Sequence, residues 1–234
     1  MLSTYKTILS RKSQLNSNTY LYHFDLLEPK EIIFKPGQYI MLKVPSVKGP
    51  VSRLYSISSS NTTKNSFELI IEIIPGGLAS NYLFSLKENT EIIFQGPAGM
   101  FGLRENDRKK IFLVTGTGIA PVRAMLNSEF RIQNSELFWG LKSFKDVYLL
   151  EELKNYELRI KNFKFKICLS REQNLDIIPE SDKKFFELGH IDSYSPLLTT
   201  ADYYLCGGRQ IVESLRQFLL GKNISQENIY FEKF

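Results

Sequence analysis

In the first half of the chain, apolar residues recur in short runs rich in aromatic and β-branched side chains. Thr19–Leu26, Tyr39–Val44, Phe67–Ile74 and Glu91–Phe94 are predicted strands. Turn residues punctuate them: Pro36-Gly37, Pro45, Gly49-Pro50, Asn61, Pro75-Gly76-Gly77 and Gly96-Pro97. Several short strands at fairly regular spacing predict an antiparallel barrel or sandwich. One short helix, Ser80–Leu86, is predicted after the Gly76-Gly77 turn. Met1–Arg11 is polar and holds no hydrophobic secretory stretch.

The pattern changes across the charged stretch Arg104–Lys110, which is the expected boundary between an antiparallel barrel domain (residues 1–105) and a second domain (residues 106–234). Beyond it, strands Lys110–Thr115, Glu136–Trp139, Phe163–Leu169, Asp202–Cys206 and Asn228–Glu232 alternate with helices Pro121–Phe130, Lys145–Tyr156 and Ile211–Leu220. Such alternation predicts a parallel sheet with helices on its faces, an α/β domain. Ligands of such sheets sit beyond the carboxyl ends of the strands, so a ligand is expected in the crevice between the two units.

Composition narrows the class. No apolar run is long enough to span a bilayer, and a cytoplasmic protein is expected. The formal charge is +5, with basic residues scattered as on a solvated surface and not gathered into a nucleic-acid groove. A basic face still suits an acidic protein partner. Cys168 and Cys206 are the two cysteines, too few for the four thiolates of a [2Fe–2S] cluster. His23 and His190 form no metal site, and no Ser-His-Asp or paired-carboxylate signature competes with redox chemistry.

Four segments carry candidate chemistry. In Lys110–Pro121 an apolar strand runs into Gly116-Thr117-Gly118 and a helix begins at once. The glycines let a phosphate or a ring approach the backbone, and the helix N-terminus offers free N–H groups; a ligand-free βα turn reads the same way. In Ile73–Leu83 a strand, Gly76-Gly77 and a small helix follow one another, and Ser80 is a helix cap or part of an amide cluster for a pyrophosphate. In Val51–Ser58, alternation puts Arg53 and Tyr55 on one side, a charge clamp and a stacking surface, with Leu54 and Ser56 opposite; an ordinary edge strand would look alike. In Ala201–Arg209 a strand ends in Cys206-Gly207-Gly208, an open floor for a planar group or a buried apolar cysteine.

Together, Arg53-Leu54-Tyr55-Ser56, Gly77-Leu78-Ala79-Ser80, Gly96–Gly99, Gly116–Pro121, Cys206-Gly207-Gly208 and Glu232-Lys233-Phe234 resemble the successive signatures of the ferredoxin–NADP reductase superfamily. They keep that family's order and cover almost the whole chain, and Phe34–Ile40 resembles its early barrel strand. The resemblance implies an FAD-binding barrel followed by an NAD(P)-binding α/β domain. It implies that Arg53 neutralises the flavin pyrophosphate, with Leu54 beside it in the motif. Tyr55 would stack on the isoalloxazine, Ser56 would bond near flavin N5, and the amides of Leu78, Ala79 and Ser80, following Gly77 in the cofactor-binding turn, would wrap the pyrophosphate. Gly116, Thr117 and Gly118 would line the junction of the cofactors. Cys206, Gly207, Gly208 and Glu232 would lie near hydride transfer, and Phe234 would cover the flavin.

Ser170-Arg171, after a parallel strand, resembles the pair that holds the 2′-phosphate of NADPH, so NADP(H) is favoured over NAD(H). Glu172 or Asp176 would instead suit a ribose hydroxyl, and His190 stands where some relatives place a second arginine. Two departures, Ala79 where plant-type enzymes carry Cys and Phe234 where they end in Tyr, argue against a photosynthetic enzyme. The expected reaction is hydride transfer from NAD(P)H to FAD, then single-electron delivery to a ferredoxin or flavodoxin. A reductase component of an oxygenase is the alternative, as is a flavin-binding subunit active only within a complex.

Overall fold

The computed structural model describes residues 2–47, 49–128 and 132–234. Internal contacts divide the chain into two units, Met1–Leu103 with Ala120–Phe130, and Arg104–Ile119 with Arg131–Phe234.

The first unit is built on a six-stranded antiparallel sheet. Its strands are β1 (Ser3–Gln14), β2 (Thr19–Glu28), β3 (Tyr39–Val44), β4 (Val51–Ser56), β5 (Ser66–Glu72) and β6 (Glu91–Ala98), in the order β4-β3-β6-β1-β2-β5. The two edges meet: Ile57 bridges Leu69, and the Ser58 N–H donates to the Glu68 carbonyl at 2.8 Å, so the sheet curls into a barrel. Inward residues fill it with rings. Phe24, Phe67 and Phe94 are fully buried and meet one another at centroid distances of 4.9–5.4 Å. Aromatic pairs at this spacing add about 0.5–1.5 kcal/mol each beyond area burial.

β1 was not expected. It is central, paired with both β2 and β6, yet its sequence reads as polar. Its inward positions are Tyr5, Thr7 and Leu9. Thr7 is fully buried because its hydroxyl donates to the Ile92 carbonyl at 2.9 Å, which hides the strand from a hydrophobic pattern. The small helix α1 spans Leu78–Ser85, earlier than predicted, and its cap is Gly77.

In the second unit, β7 (Lys109–Thr115), β8 (Ser135–Leu141), β9 (Phe163–Leu169), β10 (Phe186–Leu188), β11 (Ala201–Gly207) and β12 (Ile229–Lys233) form a parallel sheet ordered β10-β9-β8-β7-β11-β12. Every residue of β11 is buried, as expected of a central parallel strand covered on both faces. Helices α2 (Ile119–Leu126), α3 (Leu150–Arg159) and α4 (Arg209–Gly221) connect the strands. The end of the predicted helix Pro121–Phe130 lies outside the described residues. The predicted helix Lys145–Tyr156 is displaced to α3 for a local reason. The Asp146 carboxylate accepts from the Ser143 N–H and hydroxyl at 3.0 and 2.9 Å, closing one 3₁₀ turn, and Leu149 then takes φ +58° before the helix restarts. Among the described residues no helix is long and apolar enough to cross a membrane.

At the amino ends of β7 and β11 the buried Asp202 accepts from Arg108 Nε at 2.8 Å, Lys110 Nζ at 2.9 Å and Asn106 Nδ2 at 2.9 Å. Burial opposes the Asp202 charge, but these three donors outweigh it and hold the carboxyl below its ordinary range. Removing the carboxylate leaves Lys110, itself buried, without its counter-ion. We expect Asp202→Ala to destabilise the protein by about 3–5 kcal/mol, read as a lowered urea midpoint. Because the folded carboxyl is depressed, its contribution is complete above the unfolded value of 3.8 and is lost as pH falls further; the variant's deficit should therefore shrink in acid.

Candidate functional site

β4 is the barrel strand with no buried residue, although its partner β3 alternates buried and half-buried positions. Register sets Arg53 opposite Leu42 and Tyr55 opposite Ile40, so these two share a face, as alternation predicts. Tyr55 leans on the barrel core, and burial pushes its hydroxyl up to about 12 against the opposing charge of Arg53. Arg53 is exposed, and its guanidinium donates to the Ser52 carbonyl at 2.9 Å. Leu54 is exposed as well, at 51%. A barrel strand with an exposed arginine and leucine beside a half-buried tyrosine is a strand whose side chains are suited to meet a further partner.

α1 starts from a turn in which both backbone groups of Ile74 are used. Its N–H donates to Ser80 Oγ at 2.9 Å, and its carbonyl accepts from the Gly77 N–H at 3.1 Å. Ser80 therefore closes the turn from inside the first helical turn and does not cap the helix. The first intrahelical bond is Asn81 N–H to the Gly77 carbonyl, which leaves the amides of Leu78, Ala79 and Ser80 directed beyond the helix N-terminus. At the other end Lys12 Nζ donates to the Phe84 carbonyl at 2.6 Å and lies 4.7 Å from the Phe84 ring centroid. Lys12 drew no notice in the sequence, because only the fold brings β1 to this helix.

In the second unit the strand order reverses between β7 and β11, the point where ligands of open parallel sheets collect. The two strand ends approach too closely for side chains. A Cβ on Gly118 would lie 2.3 Å from the Cys206 carbonyl oxygen, and one on Gly207, at φ +149°, would lie 2.2 Å from Thr115 Oγ1. Gly116 and Gly208 differ: nothing lies within 4 Å of their absent Cβ atoms, so an open floor remains there. Thr117, half-buried, stands between Gly116 and Gly118 in the turn. The turn is held from below by Trp139 Nε1 and the Tyr148 hydroxyl, which donate to the Gly116 carbonyl at 2.9 and 3.3 Å. Their rings meet edge to face at 4.7 Å. Neither residue was singled out in the sequence, since a long-range bond to one carbonyl leaves no local pattern.

Cys206 is 1% exposed, and burial, with the Glu232 carboxylate opposite it on β12, pushes its thiol well above the ordinary value. It is a neutral thiol and no nucleophile. Glu232 is half-buried beside it. Beyond β9, Ser170 donates to the Leu141 carbonyl at 3.3 Å while Arg171 is exposed. The Glu172 carboxylate is turned back to accept from the Phe144 N–H at 2.9 Å; Asp176 and His190 are exposed. The Phe234 ring is 56% exposed, but its backbone is tied down: its N–H donates to the Gly207 carbonyl at 3.2 Å and its carbonyl accepts from the Arg209 N–H at 3.1 Å.

The structure thus offers an uncovered cationic and aromatic strand with free helix amides in one unit, and a glycine floor at a sheet switch point in the other. Comparison with known proteins agrees. The oxidoreductase FAD-binding domain family matches residues 6–102, and the oxidoreductase NAD-binding domain family matches residues 112–217. The chain is 31% identical to the toluate 1,2-dioxygenase electron transfer component of Pseudomonas putida over 239 residues, covering 98% of this chain and 67% of that protein. Across the curated relatives it spans between 53% and 67% of their length. The crystal structure of a ferredoxin–NADP⁺ reductase from Neisseria gonorrhoeae with bound FAD and NADP superposes with a TM-score of 0.80 at 18% identity, covering 99% of this chain and 98% of that one. An Amycolatopsis cytochrome P450 reductase gives 0.85 at 22%, covering 100% and 70%. With FAD-binding and NAD-binding oxidoreductase domains in sequence, the chain belongs to the ferredoxin–NADP reductase superfamily.

Proposed function

We propose that this chain takes hydride from NAD(P)H onto FAD and passes electrons singly to a ferredoxin- or flavodoxin-type carrier. The observation that carries it is the side-chain-free approach of Gly118 to Cys206 at the β7–β11 switch point, beside the open Gly116 and Gly208. A planar ring can rest on such a floor, whereas a sheet closed for stability alone would fill it. The domain assignment is residues 1–105 for FAD and 106–234 for the nicotinamide nucleotide. Reduced, buried Cys168 and Cys206 suit a cytoplasmic setting.

Each residue then has a task. Arg53 neutralises pyrophosphate charge, and the amides of Leu78, Ala79 and Ser80 donate to it at the start of α1, while Gly77 closes the turn before them. Tyr55 presents the flat stacking surface, Leu54 adjoins it on the other face of the strand, and Ser56 supplies a hydroxyl at the strand end. Gly116, Thr117, Gly118, Gly207 and Gly208 admit the nicotinamide. Cys206 and Glu232 border the reacting centre: the thiol stays protonated and excludes water, and the carboxylate orients polar groups of the substrate. Phe234 shields the flavin until nicotinamide arrives. The flavin supplies the capacity to accept two electrons together and release them one at a time. A reductase component serving an oxygenase is the second reading, supported by the name of the Pseudomonas putida relative.

Ser170 and Arg171 support NADPH over NADH. The guanidinium is exposed while Glu172, the rival ligand for a ribose hydroxyl, is occupied by the Phe144 amide. Arg171→Ala should raise the KM for NADPH roughly ten- to hundredfold, the loss of one charge-assisted bond, and leave that for NADH nearly unchanged. Equal effects on the two nucleotides would remove the assignment. Phe234→Ser should strengthen the flavin absorbance change on adding NADP⁺; an unchanged spectrum would show that the ring does not cover the flavin. The reading as a whole is tested on the purified protein. Acid should release FAD and not FMN, and NAD(P)H should be oxidised with an artificial acceptor. Release of FMN alone, or of no flavin, would overturn it.

A further inference from the structure

Arg123 lies one turn into α2, the helix that the Gly116–Gly118 turn opens. Its guanidinium is 12% exposed and donates to Glu68 on β5 at 2.7 Å and to the Ser58 carbonyl at 3.1 Å. Ser58 follows β4 directly, two residues beyond Ser56, and its own N–H donates to the Glu68 carbonyl. Two further contacts flank the pair within the same unit. Ser60 donates to the Asn127 carbonyl at 2.7 Å, and the Met125 methyl packs where a Cβ on Gly37 would stand, 2.7 Å away. Glu68 is 13% exposed, and His23 on β2 reaches it through Nδ1 at 3.3 Å.

Glu68, Arg123 and His23 lie outside the flavin and nicotinamide motifs. A largely buried carboxylate–guanidinium pair is poor evidence for stability, because the desolvation of both charges offsets much of their attraction. Its geometric demand is strict, however, and here Glu68 on β5 and Arg123 on the helix after the glycine turn both hold Ser58, just beyond the strand that bears Tyr55 and Ser56.

We propose that Glu68 is a positioning residue that, through Arg123, fixes helix α2 against the end of strand β4 and so sets the glycine turn for nucleotide binding. This rests on the flavin and nicotinamide assignments above. The groups facing the pair are Arg11 on β1, His23 and Asp25 on β2, and the Ser58 carbonyl. Burial works against the Glu68 charge, but the bonds from His23 and Arg123 prevail and hold its carboxyl at about 2. His23 is raised above its ordinary value, chiefly by its hydrogen bond to Glu68. The pair therefore stays charged throughout the neutral range, and the support from His23 is complete below its unfolded value of 6.5 and fades as pH rises through the raised one.

The test is amide hydrogen exchange on the flavin-loaded protein, read in residues 119–126 against residues 78–85, together with the KM for nicotinamide nucleotide. Glu68→Gln should speed exchange in 119–126 and raise that KM, each roughly tenfold, with flavin content and exchange in 78–85 unchanged. Arg123→Lys, which keeps the charge but loses the fork, should give a smaller change in the same direction. It also serves if Glu68→Gln does not fold. In the parent, protection of 119–126 corrected for intrinsic rates should decline as pH rises beyond 6.5, and His23→Gln should abolish that decline. Unchanged exchange in 119–126, or an equal rise in both segments, would overturn the proposal. A protein without flavin would instead refute the functional reading, and exchange in 119–126 would still decide the role of Glu68.

Discussion

Two backbones that meet with no room for a Cβ form the constraint on which the nucleotide half of this protein depends. The Gly118 position is filled by the Cys206 carbonyl, and the Gly207 position by the Thr115 hydroxyl. Such an approach exists only if β7 and β11 are in correct register along their whole length. Asp202 secures that register from the opposite ends of the same strands, by gathering Arg108, Lys110 and Asn106. The strands are thus fixed by charge at their amino ends and by steric fit at their carboxyl ends. The floor between Gly116 and Gly208 is open because both ends hold.

The barrel meets its ligand by other means. Its interior is a conventional ring-filled core, but β4 has no buried residue, whereas its partner β3 alternates. An arginine and a leucine left exposed on a barrel strand have no stability rationale. Helix α1 adds dipole and amides, and Lys12 at its far end stabilises the exposed carbonyls. In the proposed function, anion recognition rests on geometry shared by backbone groups, with Arg53 supplying the full charge.

Much of this was legible in the sequence. Aromatic and β-branched runs located most strands, and the glycine-bearing turns located the strand ends that matter. What stayed hidden shares a physical cause: partners brought together by the fold alone. β1 was obscured because one of its inward residues, Thr7, is polar and satisfied across the sheet. α3 was displaced because Asp146 found a nearer partner than the helix. Ser80 looked like a cap and is a turn clasp, and Trp139 and Tyr148 act on one carbonyl distant in sequence. The glycines were recognised, but the reason for each separates only in three dimensions: Gly116 needs φ +53°, whereas Gly118 needs an absent side chain.

The contact grouping of Ala120–Phe130 with Met1–Leu103 bears on how the chain is made. On a ribosome, the last barrel strand, β6, emerges before α2 does. Until residue 123 has followed, Glu68 holds His23 but not the guanidinium that completes its surroundings. The barrel therefore reaches its final set of contacts only after the first strand of the next sheet has been synthesised. Its maturation is tied to the growth of the nucleotide unit, and a nascent chain halted near Leu103 holds Glu68 with His23 and Arg11 but without its shortest ion pair.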